Sequence, residues 1–213
     1  MPLIEILILI IVLLLLSCIA WRLASRRTTL PCPVWMQWLL DPSLGRRVSA
    51  RTRRTITYLD LKPGMQVLDA GCGPGRLSIP LAEAVGPRGS VTAMDLQEGM
   101  LAIVRERAAK SNLSNLFYIQ GGIGETSLAE NTFDRAVLIT VIGEIPDRVS
   151  ALLDLYSAMK PGGILLVEET IRDPHFQTRS TVTQLAESAG FNVKEFYGNR
   201  FSFTMLLEKP IPF

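Results

Sequence analysis

The chain has 213 residues, of which 48% are hydrophobic and 20% are charged, and its formal net charge is +2. This share of apolar residues can form a buried core, so the composition excludes an intrinsically disordered chain. Three cysteines without framework spacing exclude a disulfide scaffold, and a single histidine, His175, excludes a centre built from several histidines. We therefore expect no metal site.

The N-terminal segment is the most apolar part of the chain. Sixteen uncharged residues, Ile6–Trp21, follow Glu5. They would form about 24 Å of helix, which approaches a hydrocarbon core of ~30 Å only with the preceding residues added. The first arginines, at positions 22, 26 and 27, come after this run, whereas a signal peptide has its basic residues before it. We expect an uncleaved single-pass anchor with the following domain in the cytosol; a signal peptide or an interfacial helix are the alternatives.

Charge is distributed unevenly along the chain. Between Arg22 and Arg54, eight arginines and one acid give a net charge of +7, and from Thr55 onward 14 basic and 18 acidic residues give −4. A basic stretch beside an apolar segment fits contact with anionic lipid headgroups, although a solvated arginine-rich linker is also possible. Nucleic-acid binding is not expected, because Trp35 and Trp38 lie in an apolar cluster away from the arginines.

The body of the chain alternates between short apolar strands and helices. A first helix is predicted over Ser43–Leu59. Five strands follow, at Gln66–Ala70, Val91–Asp95, Leu116–Gln120, Arg135–Thr140 and Ile164–Glu168, with helices at Arg76–Val85, Gln97–Ser111 and Arg148–Met159. Such alternation predicts βαβ units and a mostly parallel sheet.

The C-terminal part breaks this alternation. After a helix at Thr181–Ala189, two strands at Phe191–Phe196 and Phe201–Leu207 are joined by a turn at Tyr197–Arg200, which predicts an antiparallel hairpin. The predicted organisation is an anchor with a basic flank (residues 1–27), a linker with the first helix (28–60) and one α/β domain (61–213).

A glycine-rich turn follows the first strand. Its sequence, Asp69-Ala-Gly-Cys-Gly-Pro-Gly75, has the spacing G-x-G-x-G, unlike the G-x-G-x-x-G of dinucleotide-binding folds. In an open α/β sheet the ligand binds at this edge, against backbone that must bend sharply. We expect Asp69 to meet a cationic amine and Asp95, at the end of the next strand, to accept the hydroxyls of a ribose. Either acid could instead cap the helix that follows it.

These residues resemble the class I S-adenosylmethionine-dependent methyltransferases, in the broad group that includes the ubiquinone and menaquinone C-methyltransferases. The resemblance also includes Phe133–Thr140, similar to that family's fourth strand, and Met159–Leu166, similar to the approach to its fifth. It implies a Rossmann-like α/β fold with a seven-stranded, mostly parallel sheet and a C-terminal antiparallel hairpin. It also implies S-adenosyl-L-methionine as the cofactor and methyl transfer as the activity.

The resemblance implies a cofactor site along the edge where the strands end. Gly71 and Gly73 would let the methionine part of the cofactor lie against the backbone, with Cys72 as a small residue beneath it. Asp69 would lie near the cofactor's amino group, and Asp95 would hold its ribose.

The adenine and sulfonium ends of the cofactor are assigned in the same way. Leu96 would cover one face of the adenine, and Thr140 would lie close to the sulfonium. Gly122 and Ile123 stand where many family members have an acid followed by a small residue, so the acid that meets the adenine amine is missing. Backbone groups or a displaced Glu125 could replace it, and Leu96 and Ile123 could instead be plain core residues.

The catalytic group stays unknown at this stage. His175, after the fifth strand, carries an imidazole, a group that commonly acts as a general base, but a histidine at the surface of a loop is the simpler interpretation. Glu144, after the fourth strand, is a second weak candidate, and it could instead cap the helix that begins near Asp147.

The predicted anchor suggests the acceptor. Tethering to a bilayer raises the local concentration of molecules dissolved there, so we expect a hydrophobic or membrane-associated acceptor: a lipid, a quinone or a lipophilic small molecule. A non-catalytic cofactor-binding scaffold and a membrane-bound NAD(P)-dependent reductase are the alternatives. The glycine spacing disfavours the reductase, and so does the position of Tyr58 and Lys62 before the glycine turn.

Overall fold

The structure is a computed structural model that describes residues 5–13, 16–17 and 49–212. Residues 5–13 are helical, and the side chains of Ile6–Leu13 are 43–58% exposed. Within the described ranges, no helix has both the length and the apolar character needed to cross a membrane, so the predicted single-pass anchor is not supported. The rest of that anchor, the linker and the beginning of the first predicted helix lie outside the described residues.

The described domain contains five helices and seven strands after the N-terminal helical segment. In chain order they are α1 (Ala50–Leu59), β1 (Gln66–Ala70), α2 (Ser78–Val85), β2 (Ser90–Asp95), α3 (Glu98–Lys110), β3 (Leu116–Gln120), β4 (Phe133–Ile139), α4 (Arg148–Ala158), β5 (Met159–Thr170), α5 (Arg179–Ser188), β6 (Asn192–Asn199) and β7 (Ser202–Glu208). The sequence-based boundaries of most elements lie within two residues of these.

The seven strands form one sheet in the order β3-β2-β1-β4-β5-β7-β6. Strands β1 to β5 are parallel, and β7 pairs antiparallel with both β5 and β6. The predicted Rossmann-like sheet with a C-terminal antiparallel hairpin is therefore confirmed. The chain reverses its direction of travel across the sheet between β1 and β4, and ligands of open α/β sheets bind beside such a point.

Strand β5 is longer than predicted. The sequence predicted a strand over Ile164–Glu168, but the backbone of the preceding Pro161-Gly-Gly163 segment is also paired: Gly162 N–H donates to Lys209 O at 2.8 Å and Lys209 N–H donates to Gly163 O at 3.0 Å. At the other end, Thr170 pairs with Ser202. Pairing across the sheet thus extends the strand into a segment of proline and glycine, residues that ordinarily favour turns.

Two layers of buried side chains cover the two faces of the sheet. Successive residues of a strand point to opposite faces. Accordingly, Leu68 and Leu138 belong to one core and Val67 and Val137 to the other, and all four are fully buried. The helices pack on these apolar faces, which leaves the carboxyl ends of the strands as the place for polar chemistry.

The opposite edge of the sheet, where the parallel strands begin, is tied together by a polar cluster. The carboxylate of Asp134 accepts from Gln66 N–H at 2.8 Å and pairs with Lys160 Nζ at 2.8 Å. Beside it, Arg135 Nε donates to Leu59 O, the last carbonyl of α1, at 2.7 Å. These bonds fix α1, β1, β4 and β5 to one another at the edge away from the glycine turn.

Candidate functional site

The glycine turn after β1 is held by the end of β2. The N–H groups of Gly71 and Cys72 both donate to Met94 O, at 2.8 and 2.9 Å. Gly71 has φ +72° and a Cβ there would approach Val141 Cγ2 to 2.5 Å, so packing requires this glycine. Gly73 has φ +52°, but a Cβ there would meet nothing within 4 Å. Gly73 therefore presents bare backbone to open space.

Asp95 connects this turn to the next strand. One carboxylate oxygen accepts from Gly73 N–H at 2.8 Å, and the other accepts from Gln97 N–H at 2.9 Å. Burial raises the pKa of Asp95, while these two backbone donors oppose the shift. The carboxylate thus fixes the turn and remains part of the cavity wall.

A cavity of about 410 Å³ opens above the turn, which is a size typical of small-molecule sites. It contains most of the predicted cofactor residues: Gly71, Gly73, Asp95, Leu96, Gly122, Ile123 and Thr140. The other lining residues are Gln97, Met100, Gly121, Glu125, Ile139, Val141, Glu144, Ile145, Pro146 and Asp173. The structure thereby brings together residues at or after the carboxyl ends of the five parallel strands, β1 to β5, which are far apart in the chain.

Leu96 and Ile123 contribute differently to this cavity. Leu96 is 53% exposed beside it, so the core interpretation is wrong for this residue and its side chain is available to cover a flat ligand. Ile123 is buried in the core of one sheet face and still contributes to the wall. Both the predicted ligand contact and the core interpretation are therefore compatible with the position of Ile123.

Asp69 and Cys72 lie beneath the turn and outside the set of residues that line the cavity. The buried carboxylate of Asp69 accepts from Ser78 Oγ at 2.6 Å, at the first residue of α2, and burial raises its pKa to about 6. Asp69 thus contacts the start of α2 through a hydroxyl group, and its contact with a ligand amine stays a prediction. Burial also raises the pKa of the Cys72 thiol far above its usual range, which disfavours a nucleophilic thiolate.

Glu125 occupies the space of the missing acid. A Cβ built on Gly122 would lie 2.7 Å from a carboxylate oxygen of Glu125, and both residues line the cavity. The chain between them makes a tight turn, in which Glu125 N–H donates to Gly122 O at 3.1 Å. The turn therefore places a carboxylate three residues later in sequence at nearly the same point in space.

Thr140 ends β4 in a strained conformation. Its φ of +54° lies in the left-handed region, which is rare for a β-branched residue. The conformation is held by Thr140 N–H donating to Glu168 O at 2.8 Å and by the hydroxyl donating to Ile139 O at 2.7 Å. Such strain concentrates at functional sites, and here it lies on the cavity wall.

A group of titratable side chains adjoins the cavity. His175 Nδ1 lies 3.6 Å from a carboxylate oxygen of Glu144 and 3.9 Å from one of Asp173. His175 is 6% exposed, so the prediction of a histidine at the loop surface is wrong. The loop folds inward because Asp173 Oδ1 accepts from His175 N–H at 2.7 Å, and because Gly143 leaves space for the His175 carbonyl.

Glu144 and Glu169 are acids in unusual environments. Burial raises the pKa of each to about 8, and neighbouring carboxylates add to the shift. Glu144 does not cap α4, since Asp147 is the capping residue. Glu169 accepts from Gln177 N–H at 2.9 Å, while its other oxygen is buried with no hydrogen-bond partner among the described residues. Sequence reasoning missed Glu169, because nothing local relates it to Glu144.

A second cavity, of about 370 Å³, was not predicted from the sequence. It lies beside α1 and the ends of β5 and β7, and is lined by Arg51, Arg54, Thr55, Tyr58, Glu168, Thr170, Arg172, Tyr197, Gly198, Ser202, Phe203 and Thr204. Glu168 points to this side and Glu169 to the other, as expected for adjacent residues of a strand. The arginine run of the sequence offered a signal, but not the partner segments.

The first cavity fits a nucleoside ligand with a cationic tail. Asp95 offers a carboxylate for ribose hydroxyls, Leu96 an apolar face for a base, and Glu125 an acceptor for an exocyclic amine. Gly73 leaves room for close approach to the backbone, and the charged side chains that line the cavity are all acidic: Asp95, Glu125, Glu144 and Asp173.

Comparison with known proteins gives a family match over most of the domain. A family model described as a methyltransferase domain matches residues 61–197. A demethylmenaquinone methyltransferase from Listeria monocytogenes serotype 4a is 34% identical over 118 residues, which cover 55% of this chain and 50% of the relative. One from Bacillus cytotoxicus is 33% identical over 125 residues, which cover 59% and 53%. The chain thus spans about half the length of the curated relatives it matches.

Solved structures have the same fold. The crystal structure of a SAM-dependent methyltransferase from Aquifex aeolicus superposes with a TM-score of 0.75 and 23% sequence identity, covering 84% of this chain and all of the other. At this level of identity the similarity supports the fold of the domain.

Proposed function

The chain belongs to the family of methyltransferase domains, and from this premise we propose that it transfers a methyl group from S-adenosyl-L-methionine to a hydrophobic or membrane-associated acceptor. The observation that carries the proposal is the first cavity, where Asp95 both holds the glycine turn and faces the space above it. The spacing of that turn and the position of Asp95 fit an adenosyl ligand, and they do not fit the turn of a dinucleotide-binding reductase.

The bound cofactor would supply a sulfonium, which is a strong electrophile with a neutral leaving group. The remaining work of the protein is to orient the two reactants and to exclude water. Thr140 and Val141 form the wall between the cavity and β4, and the strained backbone of Thr140 fixes the position of that wall. The apolar side chains of Ile139 and Ile145 exclude water nearby.

Proton transfer is assigned to Glu144, with His175 beside it. Glu144 faces the cavity, and the 3.6 Å separation allows a proton to pass between Glu144 and His175 with a small movement. A carboxyl whose pKa is about 8 holds its proton at neutral pH in the free protein. Beside a bound cationic sulfonium, the carboxyl would have a lower pKa and release its proton to solvent, and the carboxylate could then accept a proton from an acceptor hydroxyl.

The class of acceptor rests on two observations. The matched relatives are demethylmenaquinone methyltransferases, so a quinone is the first acceptor to test. The described apolar side chains of Ile6–Leu13 are all about half exposed, which favours an apolar environment for this segment in place of water. We therefore extend the proposal to association with a lipid bilayer, where a hydrophobic acceptor is dissolved.

Calorimetry on the purified full-length chain tests the cofactor. We expect S-adenosylhomocysteine to bind and NADP(H) not to bind. We expect Asp95→Ala to weaken the binding of S-adenosylhomocysteine at least about tenfold, as for the loss of a hydrogen bond to a charged group. Glu83→Gln, which removes an exposed carboxylate from α2, is the matched control and should bind normally. Absence of binding by a folded protein would contradict the proposal.

Methyl transfer is tested with a radiolabelled methyl group. The full-length chain is incubated with labelled cofactor and either a short-chain demethylated quinol or a total lipid extract. Label in the organic phase supports a hydrophobic acceptor, whereas label confined to protein bands excludes it. Cofactor binding without transfer to any acceptor would favour the non-catalytic scaffold.

A further inference from the structure

The second cavity carries more positive charge than its own structure neutralises. Three arginines, Arg51, Arg54 and Arg172, and one acid, Glu168, line it, which gives a net formal charge of +2. Glu168 is paired with Arg51 Nε and Thr55 Oγ1, and the side chains of Arg54 and Arg172 form no ion pair with the described residues. We propose that this cavity binds the phosphate group of the methyl acceptor, which selects a phosphate-bearing lipid over a quinone; this inference rests on the proposed methyl transfer.

Glu168 uses only part of the hydrogen-bonding capacity of Arg51, another residue that lines the cavity. The Nε of Arg51 is engaged by Glu168, while its Nη2 is buried and has no hydrogen-bond partner among the described residues. A buried donor without a partner is costly, so the guanidinium is incompletely satisfied by the protein itself. The planar guanidinium group matches two oxygens of a phosphate at once.

The other walls suit a phosphate ester. The hydroxyl groups of Thr170 and Ser202 line the cavity and can donate to phosphate oxygens. Tyr58 of α1 and Tyr197 of β6 stack with ring centroids 4.1 Å apart and planes 6° apart, which provides an apolar surface beside the charged groups. A net charge of +2 matches the dianion of a phosphate monoester better than it matches a single carboxylate.

The cavity lies next to the proposed methyl donor site. Thr140, on the wall of the first cavity, donates its N–H to the carbonyl of Glu168, whose side chain lines the second. One residue of each wall therefore belongs to a hydrogen-bonded pair on neighbouring strands, whose backbones are about 5 Å apart. Arg172 and Asp173 are consecutive and line the second and the first cavity respectively. An acceptor held by its phosphate would therefore have its other groups beside the donor.

The test uses the double variant Arg54→Gln, Arg172→Gln in the full-length chain. These two arginines are exposed and lie at the cavity, and the pair of Arg51 with Glu168 is left intact. The matched control is Arg88→Gln, an exposed arginine before β2 at the opposite edge of the sheet. Calorimetry with S-adenosylhomocysteine reports on folding and on the first cavity in all three proteins.

Binding is measured with inorganic phosphate and with dihexanoyl phosphatidic acid, which carries the same group on a soluble short-chain lipid. We expect both ligands to bind the wild type and Arg88→Gln, and to bind the double variant at least about tenfold more weakly, because two charge-assisted contacts are lost. Tighter binding of the lipid than of phosphate would identify a lipid headgroup as the source. Equal binding would identify a water-soluble phosphate ester and would contradict the hydrophobic acceptor of the proposed function.

Two outcomes would overturn the inference. One is equal affinity of the wild type and the double variant for both probes, and the other is no measurable binding of either probe to the wild type. If either outcome is accompanied by normal binding of S-adenosylhomocysteine, only the phosphate site fails. If phosphate binds but S-adenosylhomocysteine does not, the proposed function fails and the anion site stands.

Discussion

A carboxylate oxygen of Glu125 lies 2.7 Å from the point where a side chain on Gly122 would begin. The two residues are joined by a tight turn at the carboxyl end of β3, and both line the larger cavity. The protein therefore presents an acid at this point of the cavity although the position that usually carries it is a glycine.

Glu125→Gln is expected to weaken binding of S-adenosylhomocysteine by about tenfold. The substitution keeps the size of the side chain but removes the charge that strengthens a hydrogen bond to the adenine amine. Calorimetry measures the affinity, with Glu83→Gln on the exposed side of α2 as the control. Unchanged affinity would mean that backbone groups alone recognise the base.

Gly73→Ala is expected to reduce cofactor affinity much more than it reduces stability. A Cβ there meets no protein atom, so the substitution costs only the strain of a left-handed alanine, about 1 kcal/mol, and it fills space that the ligand needs. Gly64→Ala is the matched control, because Gly64 has φ +91°, equally open surroundings and no place in the cavity lining. The unfolding temperature should fall by a similar amount in both variants. A similar loss of cofactor affinity in both would contradict the assigned site.

The free energy of unfolding is expected to fall as pH rises from about 5 to about 8. The carboxyls of Glu144 and Glu169 have pKa values of about 8 in the folded protein, against an ordinary value of 4.5, so the folded state holds protons that the unfolded state has lost. Linkage then makes stability decrease with pH through this window, by at most about 1.4 kcal/mol per pH unit for each group. Stability beyond pH 8 should change little from this cause.

The double variant Glu144→Gln, Glu169→Gln should remove most of this slope. Denaturant unfolding at a series of pH values measures the slope of the unfolding free energy against pH. The control Glu83→Gln should keep the slope of the wild type. A wild-type protein whose stability rises between pH 5 and pH 8 would show that these carboxyls are ionised when folded.

Binding of S-adenosylmethionine at neutral pH is expected to release more protons than binding of S-adenosylhomocysteine. The two ligands differ by a methyl group and a positive charge, and a cation in the cavity lowers the pKa of the Glu144 carboxyl on its wall. Calorimetry in buffers of different ionisation enthalpy counts the protons. The difference should be up to about one proton and should vanish in Glu144→Gln; equal release by both ligands in the wild type would place the sulfonium away from Glu144.

The sequence predicted the features that depend on short stretches of chain. The glycine spacing and the acid at the end of β2 identified the cavity, because a strand, a tight turn and a helix are local and their residue types are restrictive. The hairpin was also predicted from a short stretch of chain. Its turn is shorter than predicted: Asn199 Oδ1 accepts from Phe201 and Ser202 N–H and extends the pairing to the tip.

Features built from distant segments could not be predicted in this way. Arg51 and Glu168 are 117 positions apart, and only the packing of α1 on the sheet brings them together. Likewise, the polar loop around His175 favours an exposed side chain until its contacts with Asp173 and Gly143 are known. Asp69 shows that a local pattern can also leave out a contact. Its spacing suggests a ligand contact, whereas its carboxylate accepts a hydrogen bond from a hydroxyl of α2.

The cluster around Asp134 and Arg135 has a consequence for the evolution of this domain. It binds helix and strands to one another at the end remote from both cavities, so the rigidity of the framework does not depend on the loops that carry the chemistry. Those loops can therefore acquire substitutions and accommodate new acceptors while the framework stays intact. Selection can act on specificity at one end of the molecule almost independently of stability at the other.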